Sequence, residues 1–340
     1  MTATVKKMPY VRLGNSGLKI SRIILGTMQY GSKEWQGWVL GEEEGIAHIK
    51  EAYDLGIQTF DTANVYSNGL SETILGNAIK KHKLPREEIV VMTKLYYTMA
   101  RGFGETSKDW SLTHDYVNQK GLSRKHIFDS VKQSLERLGL DYIDVLQCHA
   151  WDEETPIEET MHALHDVVKA GWVRYIGMST CKAYQFHAMQ NYAITNKLTP
   201  FISLQNHYSL LFREDEREMM PTLKMFGVGA IPWSPLSRGL LAKPVGASSL
   251  RADTDKVLGY FTRGAYEEII NRVEEISKKR GISMAQVATA WLLSKPGVTA
   301  PIVGSTKLEN LKDIVGALDV QLTEDEVKYL EEKYEPLPPH

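Results

Sequence analysis

The stretch IQTFDTANVYSNGLSETILGNAI, residues 57–79, decides the fold. It opens on a short apolar run of β type, IQTF, and from residue 70 its apolar positions fall into helical spacing that continues to 82. Between the two stand Asp61 and Tyr66, an acid and a phenol where a strand gives way to a helix. The same unit recurs along the chain. Runs of β type occur at RIILGT (22–27), EIVVMT (88–93), YIDVLQC (142–148), WVRYIGMS (172–179), FISLQ (201–205), VGAIPW (228–233) and VTAPIV (298–303), which with IQTF makes eight. Helical patterns fill the intervals. Ile46, Ile49 and Tyr53 share one face at 42–55, and Met161, Leu164 and Val168 do so after Pro156, a residue favoured in the first turn of a helix. Others run near 123–138, 182–196, 213–226, 265–280, 284–294 and 307–317.

Eight strand–helix alternations with nearly continuous apolar strands predict a parallel sheet covered on both faces. Right-handed crossovers close eight such units into an α/β (β/α)8 barrel more economically than they build a doubly wound open sheet. No composition break or Pro/Ser linker divides residues 1–340, so a single domain is expected. YVRLGNSGLKI (10–20) predicts an N-terminal β-hairpin, turned by NSG, ahead of the first barrel strand. Two long stretches, 95–122 and 234–263, fit neither pattern, and each follows a strand. Loops at that end of a barrel build the active site.

The bulk composition is that of a water-soluble globular chain: 43% hydrophobic and 24% charged over 340 residues. Forty basic against forty-two acidic residues give a net charge of −2, which offers no electrostatic footprint for nucleic acid or an anionic membrane. Cys148 and Cys181 cannot form a disulfide framework. MTATVKKMPY lacks a signal peptide's apolar centre, and no apolar run is long enough to span a bilayer. A reducing cytoplasm is the expected location; the composition leaves the oligomeric state open.

Polar residues at the C-terminal ends of barrel strands carry the chemistry. Asp61 follows IQTF, Lys94 follows EIVVMT, and His149 follows YIDVLQC; Tyr66 lies in the loop after Asp61. Singly, each has an ordinary reading as helix cap, solvated lysine, satisfied histidine or packing aromatic. Together they sit at the ends of adjacent strands. A free tyrosine titrates near pH 10, a nearby ammonium favours its phenolate, and a carboxylate can hold that ammonium in place. A histidine alongside can stabilise charge developing on a carbonyl oxygen. Such a set suits protonation of a carbonyl as hydride arrives.

The chain resembles the aldo-keto reductases over nearly its whole length. The resemblance rests on LGNSGLKIS, LGTMQYG, FDTANVYSNGLSE, VMTKL, LQCHAWD, VRYIGMS, PWSPLSRGLL and PIVGSTK, and is greatest to the fungal members grouped with aryl-alcohol dehydrogenases and versiconal hemiacetal acetate reductase. It implies a catalytic tetrad of Asp61, Tyr66, Lys94 and His149, and NADPH/NADP+ bound extended across the barrel mouth. It further implies that Ser179, Thr180 and Gln205 hold the carboxamide and that Trp233, where many relatives carry Tyr, stacks on the nicotinamide. Thr27, Met28, Asp61, Ser234 and Leu236 line the same cleft on this reading, and Arg238 meets the pyrophosphate. Gly304, Ser305, Thr306 and Lys307 would take the 2′-phosphate where a helix begins, a plausible anion site on physical grounds as well. The sequence departs from the family at two places. Thr180 replaces the usual Asn, and Ile314 replaces an Asn near the adenine, leaving that ring to packing and to Asn310 or Asp313. A Rossmann site is not supported, since GVGAIP (227–232) has Pro in place of the third glycine and runs into a strand.

For the substrate, a small-molecule carbonyl compound, the expected mouth is Met28, Tyr30, Trp35, Tyr66, Tyr96 and Trp151 with His149, a lining suited to apolar or aryl groups. Three other features carry little. Cys148 and His149, adjacent on a strand, point to opposite faces. His162 and His165 share a helix face but have no third ligand, so no metal is expected. KKHK (80–83) is the basic end of a helix. Two rival functions remain: a lyase forming a Schiff base on Lys94, or an NADPH-binding regulatory subunit resembling potassium-channel β subunits.

Overall fold

Side chains alternate along a β-strand, and that period of two sorts each strand of this barrel into an inner and an outer row. In the computed structural model, which describes residues 8–103, 105, 115–248, 254–255 and 258–338, the eight expected strands form one parallel sheet. They are β3 (Ile24–Gly26), β4 (Thr59–Asp61), β5 (Val90–Leu95), β6 (Ile143–Cys148), β7 (Val173–Ser179), β8 (Phe201–Gln205), β9 (Gly229–Ala230) and β10 (Ile302–Val303). Their order in the sheet is β10-β3-β4-β5-β6-β7-β8-β9. The seam between β9 and β10 is closed by a parallel bridge from Ala230 to Val298 and by Ile302 N–H donating to Pro232 O at 2.9 Å. Both seam strands are two residues long, shorter than their apolar runs. Pro232 and Pro301 have no N–H to give a ladder, which ends regular pairing there.

The inner row of β5 is Val90, Met92, Lys94, and that of β6 is Val145 and Gln147, continued just past its end by His149. The apolar members join Ile24, Ile231, Ala300 and Ile302 in a cluster that fills the barrel's lower interior. Leu13 and Ile20, from an antiparallel hairpin of β1 (Tyr10–Arg12) and β2 (Lys19–Ser21), complete it from below. The hairpin fits because Gly14, at φ +58°, brings its backbone against that of Gly227; a Cβ there would lie 2.6 Å from Gly227 O. The outer rows, with Phe60, Val91, Leu146 and Cys148, pack against the surrounding helices.

Those helices follow the strands in order: α1 (Glu42–Asp54), α2 (Leu70–His82), α3 (Arg124–Leu138), α4 (Ile157–Lys169), α5 (Ala183–Thr195), α6 (Met219–Phe226) and α7 (Tyr266–Arg280). Next comes an added helix, α8 (Met284–Ser294), then α9 (Leu308–Val315) after β10 and α10 (Glu324–Glu331) near the C-terminus. The long loops expected after β5 and β9 are present, and parts of both lie outside the described residues. None of the helices among the described residues is long and apolar enough to cross a membrane.

One buried ion pair fixes the helix that follows Tyr66. Glu72 on α2 is fully buried, accepting from Thr93 Oγ1 at 2.5 Å and from Arg137 Nε of α3 at 2.6 Å. It thereby ties α2 to α3 and to the residue before Lys94. Glu72→Ala leaves Arg137 without its partner and should cost about 3 kcal/mol of unfolding free energy, toward the low end for a broken buried pair because the Arg137 side chain is 19% exposed. Urea denaturation checks this, and adding Arg137→Met should restore part of the loss. A single mutant as stable as the wild type would exclude the pair as a brace.

Candidate active site

Asp61, Lys94 and His149 reach one layer because they continue the inner rows of neighbouring strands above the apolar filling. Lys94 Nζ forms a short contact with Asp61 Oδ2, donates to Thr62 O at 2.8 Å, and stands 3.3 Å from Tyr66 Oη. The charged side chains of Lys94 and Asp61 are 1% and 3% exposed. Burial pushes the Lys94 ammonium down, but Asp61 and Tyr66 outweigh it and hold it above the ordinary lysine range. Lys94 is therefore a lasting cation.

Tyr66 enters from a turn with unusual backbone. Ser67, Asn68 and Gly69 follow it at φ +46°, +50° and +95°. Ser67 Oγ accepts from Ser32 N–H at 3.1 Å, in the loop after β3. Asn68 binds the loop after β5 through four backbone groups, Ala100 N–H at 2.9 Å, Gly102 O at 2.9 Å, Phe103 O at 3.5 Å and Glu105 O at 2.7 Å. Tyr66 is thus held between two loops. Burial pushes its phenol above the ordinary tyrosine range, and the opposing pull of Lys94 does not offset it. A lysine-depressed acid, expected from the sequence, is not what this layer produces.

His149 is held well below the ordinary histidine range, by burial first and by the Lys94 charge second, so it is neutral. Its Nδ1 is buried with no hydrogen-bond partner. The ring lies edge-on to Tyr66 at 5.8 Å and to Tyr97 at 5.1 Å between centroids.

The structure brings some of the expected mouth residues together and separates others. Trp35 lies 6.5 Å from Tyr66, and Trp151, half-buried, donates its backbone N–H to Thr180 O at 3.2 Å. Met28 is half-buried at the end of β3. Tyr30 does not belong to the mouth: its ring is fully buried in the outer core, edge-on to His48, because inward and outward positions are already exchanged beyond β3. Tyr96 packs partly against that same core, with its ring edge-on to Tyr97. Tyr97, 40% exposed, is the phenol that reaches His149. Strand parity loses its hold once β5 ends at Leu95, so the sequence carries no signal for choosing between two adjacent tyrosines. Gln147 was also missed, although its parity with His149 is a usable signal. It is fully buried and donates to Asp61 Oδ1 at 2.9 Å.

Among the residues assigned to the cofactor, Ser179 Oγ donates to Gln205 O at 2.5 Å, and Gln205 Nε2 reaches Asp61 Oδ1 at 3.0 Å. Thr180 sits at φ +43°. Thr27 Oγ1 is shared between Ser71 Oγ and Asp61 O, so it braces Asp61 from the backbone side. Trp233 stacks on His207 at 4.5 Å and 19°, and His207 in turn on Phe212 at 4.7 Å and 11°. Beyond it, SPLSRG turns through left-handed backbone at Ser234, Ser237 and Arg238, with Leu236 half-buried between them. Arg238 pairs with Asp255 through Nη1, while its Nε is buried without a partner. Gly304, Thr306 and Lys307 are exposed, and Ser305 Oγ accepts from Lys307 N–H at 3.0 Å at the start of α9. Asn310 is exposed on that helix, and the Asp313 carboxylate is engaged by Ser283 Oγ. Cys148 is buried among outer-row side chains with its thiol pushed up to about 12 by burial, which removes it as a nucleophile. No group of three or more acidic, histidine or cysteine side chains is arranged to hold a metal among the described residues.

The sequence profile of the Aldo/keto reductase family matches residues 22–335. The versiconal hemiacetal acetate reductase of Aspergillus parasiticus is 50% identical over 337 residues, covering 97% of this chain and 98% of that protein. A Schizosaccharomyces pombe protein provisionally named aryl-alcohol dehydrogenase is 49% identical over 97% of this chain and 96% of its own length. The aldo-keto reductase dtxS3 of Metarhizium robertsii is 47% identical, with 97% and 92% covered. With that profile match from residue 22 to 335 and relatives 47–50% identical over nearly its whole length, this chain belongs to the aldo/keto reductase family.

Proposed function

We propose that this protein uses NADPH to reduce aldehydes or ketones, aryl or otherwise apolar, to alcohols, with Tyr66 as the proton donor. The observation that carries this reading is Lys94, which touches Asp61 on one side and Tyr66 on the other, beside a neutral His149.

The cleft fits the cofactor by two features. Arg238 keeps a buried Nε without a partner, and the exposed Lys307 immediately precedes α9, its side chain making no cap. Ser179, Thr180, Gln205 and Trp233 would hold the nicotinamide end, Arg238 the pyrophosphate, and Ser305 to Lys307 the 2′-phosphate. Bound there, NADPH supplies the hydride. The protein's own part is to hold and move a proton at the substrate oxygen. Tyr66 Oη, protonated through neutral pH, gives its proton to that oxygen, and the fixed Lys94 charge stabilises the phenolate left behind. Asp61 keeps Lys94 charged and in place. A buried lone pair without a partner is more tolerable than a buried N–H, so the unpartnered Nδ1 of His149 leaves its proton on Nε2, free to donate to the same oxygen. Trp35, Tyr97 and Trp151 offer apolar surface to the substrate.

The Schiff-base reading requires a neutral amine. Lys94 is held charged by Asp61, which disfavours it.

Tyr66→Phe should lower kcat at least about a hundredfold, the low end for general acid catalysis, while leaving NADPH affinity nearly unchanged. The donor must be protonated and its pKa is raised, so reduction should hold through neutral pH and fall only above the ordinary tyrosine range. Near wild-type turnover in the mutant would remove Tyr66 from the mechanism.

Cofactor choice is a second test. NADH lacks the phosphate that Lys307 and the start of α9 would bind. NADPH should bind at least about tenfold tighter, and the gap should shrink in Lys307→Ala and at high salt. Equal dissociation constants in the wild type, by fluorescence titration, would refute this.

Thr180 offers a third. A β-branched residue in the left-handed region is strained, whereas Asn tolerates it. Thr180→Asn should raise stability by about 1 kcal/mol and tighten NADPH binding. An unchanged urea midpoint would argue against the strain.

A further inference from the structure

Tyr66 is followed by three consecutive left-handed residues, Ser67, Asn68 and Gly69, of which only the glycine adopts that backbone freely. Ser67 and Asn68 are held there at a cost in strain, so the turn relaxes if its outside contacts are taken away. Those contacts come from two other loops. Asn68 is 7% exposed and uses both ends of its amide. Oδ1 accepts from Ala100 N–H at 2.9 Å, while Nδ2 donates to Gly102 O at 2.9 Å, Phe103 O at 3.5 Å and Glu105 O at 2.7 Å. Ser67 Oγ accepts from Ser32 N–H of the loop after β3, and Gly31 lets that loop come close, since a Cβ there would collide with Ser67 Oγ.

The loop that Asn68 binds is fastened at its base. Gly121 N–H donates to Tyr96 O at 2.8 Å, and Asp152, three residues past His149, accepts from Leu122 N–H at 2.7 Å. A tie to such a loop holds the turn, and the turn sets where the Tyr66 side chain starts. The hydroxyl has to stay by Lys94 Nζ, 3.3 Å away, and also meet a substrate oxygen. Misplacing a reacting group by an ångström costs a large factor in rate. We propose that Asn68 is a positioning residue: by binding the loop after β5 it holds the left-handed turn, and through the turn it keeps the Tyr66 hydroxyl aimed at the substrate oxygen. The inference rests on the reading of Tyr66 as the proton donor.

A double-mutant cycle tests it, on the full chain with NADPH and benzaldehyde. Glycine adopts left-handed backbone without strain, so Asn68→Gly removes the four bonds while leaving the chain able to keep its course. It should lower kcat at least about tenfold. The NADPH dissociation constant, by fluorescence titration, should stay as in the wild type. In a Tyr66→Phe background no hydroxyl is left to aim, and there Asn68→Gly should lower the residual single-turnover rate less than about twofold. A merely structural role would lower both backgrounds alike. Equal losses in the two backgrounds overturn the proposal, and so does wild-type kcat in Asn68→Gly. Should that variant not fold, Asn68→Asp takes its place in the cycle. It keeps the shape, the tolerance of left-handed backbone and the bond from Ala100 N–H, but sets an acceptor against three carbonyl oxygens. Wild-type turnover in Tyr66→Phe alone undoes the catalytic assignment, whereas equal losses beside a large Tyr66→Phe defect undo only the positioning.

Discussion

Lys94 and Asp61 carry opposite charges in a layer almost closed to water, and removing two ions from solvent costs several kcal/mol each unless the surroundings replace what water gave. Here the replacement is nearly complete. The ammonium has the carboxylate, Thr62 O and Tyr66 Oη as acceptors; the carboxylate has the ammonium and two amide N–H groups as donors. Losing any one of these would leave a charge exposed to a medium that cannot screen it. The pair therefore constrains far more than its own two residues: the register of β4, β5, β6 and β8 has to deliver all these atoms to one level.

The barrel supplies that register by layering. Apolar side chains and the hairpin fill the lower interior beneath the pair. Behind the strands, Glu72 holds α2 against Thr93 and Arg137, and Thr27 binds the backbone of Asp61. One brace acts on the charged layer itself and the other on the residue before Lys94. The chemistry at the top thus depends on packing that never touches a substrate.

The layer was legible in the sequence because strand parity is a local rule. Asp61, Lys94 and His149 each close an apolar run, and a period of two places them inward together. The same rule would have found Gln147, two residues before His149. It fails where strands end. Tyr30 looks like a mouth aromatic by its place after LGTMQ, yet the chain has turned and buries it against His48. Tyr96 and Tyr97 are adjacent and chemically identical, and only the course of the loop decides that the second one reaches the histidine. Nor did the sequence reveal that His207 and Phe212 would stack behind Trp233, since that contact joins two loops that no periodicity relates.

Backbone strain shows why those loops resist local reading. Among the described residues, eight non-glycine positions have positive φ, and six of them, Ser67, Asn68, Thr180, Ser234, Ser237 and Arg238, lie in loops that follow barrel strands at the catalytic end. The other two, Lys83 and Lys197, follow the last turns of α2 and α5, an ordinary place for a left-handed residue. Each strained position costs of order 1 kcal/mol or more and runs against the preference of its own residue type. It persists because contacts made elsewhere hold it: Asn68 by four backbone groups of another loop, Ser67 by Ser32, Arg238 by Asp255. Propensity is a property of a residue and its neighbours in the chain, whereas these conformations are properties of the closed barrel, so they become visible only once the strands have been brought round.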